Sequence, residues 1–394
     1  GQHYGTRFYP TLSGVAQSYN YYPVSYMKRD EGVGFLALGF GKIIVEGEKV
    51  LRFSPEYPAI LPQFFSVKST INNSQRTFFG LDMKDDKNIL SCGETENLKR
   101  YNLDIAEKDK SIKFAASVVC SEDGVIRDSL NYNGVRVLTF SSILKYNKIP
   151  LTEILNEFLE LGKLSLGCPL EIEYAINIYN DNRKPEFCLL QIKPMVIKQI
   201  ERRQEIQLDN FDDVFCSSSV SLGDGIIENL FNIIYIKPDS FSLANTTKIA
   251  TELEELNKNL KGKPYILIGP GRWGTADPWL GVPVHWNQIS NAKVIVEVCM
   301  EGLDIDPSFG SHFFQNVTSL RIGYFTVSGK KKDDFLDWDW IDTQEIVKET
   351  EYLKLIEFEK SLTVFMDGTT GAGRIFKPIK PKIEKMDEEE SSGI

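Results

Sequence analysis

Two stretches near the middle of the chain decide how its first half folds. They are Leu170-Glu-Ile-Glu-Tyr-Ala-Ile-Asn-Ile178 and Phe187-Cys-Leu-Leu-Gln-Ile-Lys-Pro194, and the segment Asn180-Asp-Asn-Arg-Lys-Pro185 joins them. Both stretches are rich in β-branched and apolar residues, and turn-forming residues lie between them, which is typical of paired strands. The pattern predicts a β-hairpin with a long turn.

The alternation of side chains along a strand predicts one polar face on this hairpin. The side chains predicted to share a face are Glu171, Glu173, Ala175 and Asn177 on the first strand, and Phe187, Leu189, Gln191 and Lys193 on the second. If Glu173 lies opposite Gln191, then Glu171 lies opposite Lys193 and Ala175 lies opposite Leu189. This register is favourable because it creates a cross-strand pair of opposite charges.

The same register sets a carboxylate beside an amide carbonyl, at Glu173 and Gln191. These are hard oxygen ligands of the kind that Mg²⁺ prefers. The alternative is a solvated hairpin face with a plain Glu171–Lys193 ion pair, which contributes about 0.5 kcal/mol. The residue pattern alone favours the ion pair.

The hairpin resembles the end of the ATP-grasp nucleotide-binding domain of phosphoenolpyruvate synthase and pyruvate phosphate dikinase. That family ends this domain with an acidic I-E-aromatic strand and an L-L-Q-x-R-P strand, which match Glu171–Ala175 and Phe187–Pro194 here. The resemblance implies that Glu173 and Gln191 coordinate Mg²⁺. It also implies that Lys193, which stands where the family usually has arginine, contacts the phosphates of ATP.

The beginning of the chain carries a second part of the resemblance. Ser13-Gly-Val-Ala-Gln-Ser18 is similar to the family's S-G-V-x-F-T strand, and Leu38–Gly47 is similar to its G-L-G-E-x-V-V-x-G segment. The resemblance implies that Gly39, Gly41 and Lys42 lie at the nucleotide, since glycine lets the backbone approach a ligand closely. The alternative for the two glycines is a tight turn. The run 42–45 is β-prone and is predicted to be a short strand.

The resemblance covers about residues 1–196 and implies only the C-terminal half of the nucleotide domain. The chain is therefore expected to be a fragment of a larger chain, whose other part would supply the basic residues that hold the phosphates. Within the matched part, the apolar residues of 152–161 recur at helical spacing and predict an amphipathic helix.

Residues 201–384 alternate between strand and helix patterns and predict a second, smaller α/β domain. A linker is expected at 196–225 and a disordered tail at 385–394, where charge runs dominate. The elements predicted for this domain are strands at 233–236, 265–268 and 293–299, a helix at 243–260, and a hairpin of 362–366 with 374–377.

Gly269-Pro-Gly-Arg-Trp-Gly274 formally matches the G-x-G-x-x-G pattern of dinucleotide-binding turns. Pro278 and Pro283 stand where the helix of such a site should run, which argues against it. A rigid loop is favoured instead, with Arg272, Trp273, Asp277 and Trp279 packing inside the protein or meeting a partner.

A faint similarity links Ser308-Phe-Gly-Ser-His-Phe-Phe-Gln315 to the swivelling phosphohistidine domain of the same family. That resemblance implies that His312 begins a helix and accepts the phosphoryl group, because the free N–H groups of a helix start stabilise anions. The alternative is a structural histidine, which Phe313 and Phe314 favour because they would crowd a transferred group.

Composition excludes several classes of protein. The net charge of −10 over 394 residues argues against nucleic-acid binding, which requires a basic surface. No stretch approaches the roughly 20 apolar residues that cross a bilayer. The six scattered cysteines predict reduced core thiols of a cytoplasmic protein.

The sequence thus predicts a mixed α/β protein, with an ATP-grasp-like half domain at 1–200 and a second domain, swivelling-like by resemblance, at 201–384. The family resemblance implies an ATP- and Mg²⁺-binding part of a phosphotransferase that passes a phosphoryl group to histidine and on to pyruvate, forming phosphoenolpyruvate. The alternative is a non-catalytic regulatory or protein-interaction module that keeps the fold.

Overall fold

The computed structural model describes residues 1–24, 26–84, 97–181, 183–195, 213–260, 262–275, 277–299, 312–328 and 333–378. The chain divides into two compact units. The first contains Gly1–Ile200, Arg272–Trp286 and Asp306–Ile322, and the second contains Glu201–Gly271, Asn287–Ile305 and Gly323–Ile394. Both units combine helices with β-sheets, so the predicted mixed α/β class is confirmed. In the described ranges, no helix is both long and apolar enough to cross a membrane.

The strands alternate with short connections through most of the chain. Their bounds are β1 Gln2–Tyr4, β2 Arg7–Tyr9, β3 Leu12–Gln17, β4 Val33–Leu38, β5 Leu51–Phe53, β6 Thr77–Asp82, β7 Leu98–Asn102, β8 Ala116–Cys120, β9 Ile126–Arg127, β10 Gly134–Leu138, β11 Leu170–Asn177, β12 Glu186–Pro194, β13 Val214–Ser218, β14 Val220–Leu222, β15 Gly225–Ile236, β16 Tyr265–Pro270, β17 Arg272–Trp273, β18 Gly281–Val282, β19 Ala292–Val298, β20 Gly323–Val327, β21 Phe335–Leu336, β22 Ile346–Glu349, β23 Leu353–Met366 and β24 Gly373–Phe376.

The helices are mostly short. The α-helices are α1 Lys42–Val45, α2 Val67–Asn73, α3 Leu103–Lys108, α4 Ser141–Leu144, α5 Leu151–Leu166, α6 Thr246–Asn259, α7 His312–Ser319 and α8 Trp338–Asp342. Turns of 3₁₀ helix lie at Pro62–Phe64, Ser111–Phe114, Pro238–Ser240, Leu243–Asn245, Pro278–Leu280 and Trp286–Ile289.

A five-stranded antiparallel sheet in the order β12-β11-β3-β4-β5 dominates the first unit. Its apolar face belongs to the main core, where Leu155 and Leu159 of α5 join Ile172 and Tyr174 of β11. The ring of Tyr174 fills the space above Gly14, since a Cβ at residue 14 would lie 2.1 Å from Cζ of the tyrosine. Only glycine fits there, which fixes how β3 and β11 pack.

Two smaller sheets complete the strand layers of the first unit. One has the order β1-β2-β6-β7, and the other has the order β10-β8-β9. The rings of Tyr9 and Phe78, from the first of these sheets, meet at 4.8 Å in a tilted arrangement within the same main core as the five-stranded sheet. One face of the five-stranded sheet is thus covered by the main core, and its polar side chains lie on the other face.

The second unit is built on one large mixed sheet. Its strands follow the order β14-β20-β19-β16-β15-β23-β24-β13-β21, and β22 pairs with β23. The neighbours β15, β16, β19 and β20 run parallel, and α6 connects the first two of them. The strand at 265–268 is completely buried, as expected for a parallel strand that is covered on both faces.

Several local predictions are wrong. The run 42–45 forms helix α1 rather than a strand, since it buries only Ile43 and leaves Val45 exposed. Residues 214–222 form β13 and β14 rather than a linker. The helix predicted at 152–161 is present as α5, but its apolar spacing, which set Leu161 on one face with Ile154, Leu155 and Phe158, is wrong for Leu161, because that side chain is exposed.

Candidate functional site

The hairpin of β11 and β12 has the predicted register at its functional end. Glu173 lies opposite Gln191, and Glu171 lies opposite Lys193. Directly opposed side chains in an antiparallel pair point to the same face, with Cβ atoms about 4.5–5.5 Å apart. The carboxylate of Glu173 and the amide of Gln191 are therefore neighbours on one face of the sheet.

A β-bulge at Leu190 interrupts the hairpin beyond this point. The pairing shifts between Glu173 and Tyr174, so that Tyr174 lies opposite Leu189 and Ala175 lies opposite Cys188. The predicted pair of Ala175 with Leu189 is wrong for this reason.

The same bulge also changes which side chains of β12 share a face, because an extra residue reverses the alternation of a strand. Phe187 and Leu189 pack against the main core, whereas Gln191 and Lys193 lie with Glu173 on the opposite face. The prediction that these four residues of β12 share one face is wrong. The bulge lets one strand serve both the core and the polar site.

Three charged side chains meet on the polar face. Nζ of Lys193 lies 2.7 Å from Oε1 of Glu171 and 3.0 Å from Oε1 of Glu173. The side-chain amide of Gln17 on β3 donates to the other carboxylate oxygen of Glu171. The hydrogen bond to Glu171 raises the pKa of Lys193, so its amine is charged at neutral pH.

The cluster has the chemistry of a cation site that an ammonium group already fills. Two carboxylates face one ammonium, which leaves one uncompensated negative charge, and the exposed Gln191 adds an amide oxygen beside Glu173. The described residues form no cluster of three or more His, Cys, Asp or Glu side chains that could hold a metal. A metal here would therefore need oxygen ligands from its substrate or from water, which is how Mg²⁺ commonly binds.

The polar face continues across the whole sheet as one transverse row. Successive cross-strand pairs join Gln191 to Glu173, Glu173 to Val15, Val15 to Phe35, and Phe35 to Arg52. All five side chains therefore point to the same side of the sheet. The row begins with oxygen ligands on β12 and β11 and ends with a guanidinium on β5.

Sequence reasoning missed Arg52. The alternation in Leu51-Arg-Phe53 indicates a strand with the arginine on one face and two apolar residues on the other, and both apolar side chains are buried. That signal shows only that the side chain of Arg52 points away from the core. Its place in the row with Glu173 depends on three successive strand pairings, one of which joins residues more than a hundred positions apart.

The two glycines that are predicted to lie at the nucleotide differ in how tightly they are packed. Gly39 has φ +79°, and a Cβ there would lie 2.6 Å from the carbonyl oxygen of Phe79, so backbone packing alone requires glycine. Gly41 has an ordinary helical φ of −64°, and only Cβ of Ser13, at 3.6 Å, lies near the position of an added Cβ. Gly41, unlike Gly39, has space for a side chain.

Lys42 occupies the first turn of α1. Its ammonium lies 3.6 Å from a carboxylate oxygen of Glu46 and 5.2 Å from the centre of the Phe79 ring. Both contacts hold the side chain over α1 and its neighbouring strand. The implied contacts of Gly39, Gly41 and Lys42 with a nucleotide stay predictions.

The loop that follows β16 does not form a dinucleotide-binding turn. Arg272–Trp273 instead pairs with Gly281–Val282, and a 3₁₀ turn lies between these two short strands. Trp273 is completely buried, whereas Trp279 is 66% exposed. The segment forms a loop between two short paired strands, and its two tryptophans differ, one packing inside the protein and one facing solvent.

This loop also lines a cavity of about 230 Å³ within the first unit. The rings of Trp286 and Phe313 meet at 5.8 Å in its wall, and Lys49 and Asn73 contribute polar groups. Oδ1 of Asn73 is buried and has no hydrogen-bond partner in the described structure. The loop therefore helps to enclose a partly polar cavity rather than to open a helix.

His312 is the first residue of helix α7. The two phenylalanines that follow, Phe313 and Phe314, are buried. The preceding residues 301–311 lie outside the described structure, as does the predicted tail at 385–394. The role of His312 as a phosphoryl acceptor stays a prediction.

Five of the six cysteines belong to the described residues, and all five are thiols. Cys120 and Cys216 are buried as predicted for core thiols, but Cys188 is exposed. Cys188 lies on β12, opposite Ala175 and beyond the bulge from Gln191. The expectation of core positions is therefore wrong for this cysteine.

The resemblance to phosphoenolpyruvate synthase and pyruvate phosphate dikinase rests on short motifs and stays a prediction. A scan against protein-family models finds no match, and a search of curated proteins finds no significantly similar sequence.

Proposed function

We propose that the polar face of the β11–β12 hairpin binds Mg²⁺ together with the phosphates of ATP, as part of a phosphotransferase. The observation that carries the proposal is the direct pairing of Glu173 with Gln191 on the face that also holds Lys193. Carboxylate and amide oxygens are suitable ligands for Mg²⁺, and phosphate oxygens would complete the coordination shell.

The ion pairs of Lys193 support this function. Its ammonium contacts both carboxylates, and it is bound to them through a flexible, half-exposed side chain. A divalent cation would compete for the same carboxylate oxygens and displace the ammonium. The released ammonium would then be close to the phosphates that accompany the metal, which lysine binds as a compact charge.

The resemblance described above supplies the reaction class. In such enzymes the metal neutralises charge that develops on the transferred phosphoryl group. The proposed roles here are metal ligation for Glu173 and Gln191, and phosphate contact for Lys193. Transfer to His312 and on to pyruvate belongs to the same proposal and rests on the resemblance alone.

Metal binding can be tested on the full chain with Mn²⁺ as a paramagnetic substitute for Mg²⁺. We expect ATP to increase Mn²⁺ binding, measured by electron paramagnetic resonance, and Glu173→Gln or Gln191→Ala to weaken it at least about tenfold. Glu107→Gln is the matched control, because it removes a carboxylate that pairs with Arg136 on the same unit. Unchanged binding in Glu173→Gln would disprove the proposal.

A protein-interaction role is the second candidate, and Trp279 favours it. This tryptophan is 66% exposed beside Leu280, which is 42% exposed, and Asp277 holds their 3₁₀ turn by accepting a hydrogen bond from the backbone N–H of Trp279. Large exposed aromatic side chains are frequent binding hot spots. A partner that binds the wild type but not Trp279→Ala, with Mn²⁺ binding unchanged, would establish this role.

A further inference from the structure

Arg52 carries a charge that no described carboxylate neutralises. Its Nη2 donates to Oδ1 of Asn20 at 2.7 Å and to the carbonyl oxygen of Tyr22 at 2.6 Å. Its Nε is buried and has no hydrogen-bond partner among the described residues. Two neutral acceptors therefore hold the guanidinium in place, and neither removes its charge.

Five other arginines of the first unit each pair with a carboxylate, whereas Arg76, like Arg52, donates to a backbone carbonyl oxygen, that of Ile71. Those that pair with a carboxylate are Arg7 with Asp109, Arg100 with Glu48, Arg127 with Asp123, Arg136 with Glu107 and Arg183 with Asp181. The carboxylate of Glu31 does not pair with Arg52. It accepts hydrogen bonds from the hydroxyl of Ser54 and from the backbone N–H of Lys28. In a chain with net charge −10, Arg52 lacks the carboxylate partner that these five arginines have.

The surroundings of Arg52 make its charge unfavourable in the absence of an anion. Burial lowers the pKa of Arg52 to about 10, against the weaker opposing effect of Tyr22 and Tyr26. The guanidinium also lies 6.0 Å from the centre of the Phe35 ring, a contact that attracts a cation without neutralising it. A bound anion would supply the missing charge.

Arg52 is too far from the hairpin site to share one phosphate group with it. The two residues stand in the same transverse row, and three strand spacings separate Arg52 from Glu173. At about 4.8 Å for each spacing, the separation is about 14 Å. Val15 and Phe35 lie between them and give the row an apolar middle. Any anion at Arg52 therefore occupies a second subsite.

We propose that Arg52 forms an oxyanion-binding subsite that takes one phosphate or carboxylate group of a small molecule. Arginine is suited to such groups, since its charge is delocalised over a planar set of donors. Asn20 and Tyr22 fix the guanidinium through Nη2, and Nη1 donates no hydrogen bond to a described residue. The subsite needs neither a metal nor ATP, so it is independent of the proposed function.

The test uses the Nε–H resonance of Arg52, observed by ¹H–¹⁵N NMR of the full chain without metal. Arg52→Lys removes the resonance and thereby assigns it. We expect inorganic phosphate, acetate or both to shift this resonance with saturation. The Nε–H resonance of Arg136, which pairs with Glu107, is the internal control and should not shift with saturation. If neither anion shifts the Arg52 resonance, or if both arginines shift alike, the proposal is wrong.

Thermal unfolding gives a second measurement and separates the two kinds of anion. An increase in melting temperature with phosphate alone identifies a phosphate subsite, and one with acetate alone identifies a carboxylate subsite. The increase should be lost in Arg52→Gln and kept in Arg136→Gln and in Glu173→Gln. A stabilisation that persists in Arg52→Gln would overturn the proposal. Should Arg52→Gln fail to fold, the titration of the wild-type resonance decides alone.

Discussion

The ammonium of Lys193 lies 3.0 Å from Oε1 of Glu173, at the place where a bound cation would meet the same carboxylate. The same ammonium lies 2.7 Å from Oε1 of Glu171, so one lysine connects both acidic residues of β11. An ammonium and a divalent cation cannot occupy these oxygen atoms together. Any binding of a metal by the hairpin would therefore depend on Lys193.

Replacing Lys193 should change the binding of free metal and of the metal–ATP complex in opposite directions. In Lys193→Met, free Mn²⁺ should bind more tightly, by up to about tenfold, because no ammonium competes for the carboxylates. The Mn²⁺–ATP complex should bind more weakly, because the variant cannot make the proposed contact with phosphate. Paramagnetic resonance titrations measure both. Lys163→Met, which removes a lysine paired with Glu160 on α5, is the control and should change neither.

The pH dependence of stability should report the same ion pairs. The hydrogen bond to Glu171 raises the pKa of Lys193 in the folded protein. Its stabilisation is therefore complete below the unfolded-state pKa of about 10.4 and is lost as the pH rises through the higher folded-state value. Because the lysine is half exposed, the difference in unfolding free energy between wild type and Lys193→Met should not exceed about 1 kcal/mol. Urea unfolding should show this difference at neutral pH and its loss in strong alkali; a difference independent of pH would contradict the assignment.

Gly39 and Gly41 should respond differently to alanine. Gly39→Ala should destabilise the protein by about 1–3 kcal/mol, because the new Cβ would meet the backbone of Phe79 in a left-handed conformation. Gly41→Ala should change the unfolding free energy by less than about 0.5 kcal/mol, since its position has space. Chemical denaturation measures both values. Weaker ATP binding in a normally stable Gly41→Ala protein would support backbone approach to the nucleotide, and a strongly destabilised Gly41→Ala would contradict the packing described here.

The two tryptophans of the loop after β16 should also respond differently to replacement by alanine. Trp273→Ala should cost about 3–5 kcal/mol because it empties a completely buried site. Trp279→Ala should change stability by less than about 0.5 kcal/mol because its side chain is mostly solvated. Urea unfolding of the two variants compares them directly. Equal losses would show that the exposed tryptophan also has a packing role.

The sequence predicted the hairpin well where local chemistry determines it. The alternation of Glu171 and Glu173 opposite Gln191 and Lys193 gave the correct pairs, because opposite charges select one register. The bulge at Leu190 is not predicted by simple alternation, which sets apolar Phe187 and Leu189 on one face with polar Gln191 and Lys193. The packing of Phe187 and Leu189 against the main core is what requires the bulge.

Other features depend on contacts between distant parts of the chain. The run 42–45 is β-prone, yet it becomes a helix because Ile43 packs into a small cluster with Phe79 of another strand. In the sequence, Arg52 is only one polar residue of an alternating strand. Its place in the row with Glu173 arises because β3 and β4 lie between its strand and β11. Tertiary contacts of this kind override local preference, so periodicity alone does not show them.

The bulge at Leu190 makes the number of residues in β12 as important as their identity. Leu190 is 63% exposed, so the extra residue acts through its backbone and many different side chains would serve at that position. Removing the residue would restore simple alternation and force a choice between two losses. Either Gln191 and Lys193 would enter the apolar interior, or Phe187 and Leu189 would be expelled into water. Along this edge of the sheet, a deletion of one residue would therefore be far more harmful than any single replacement at the same place.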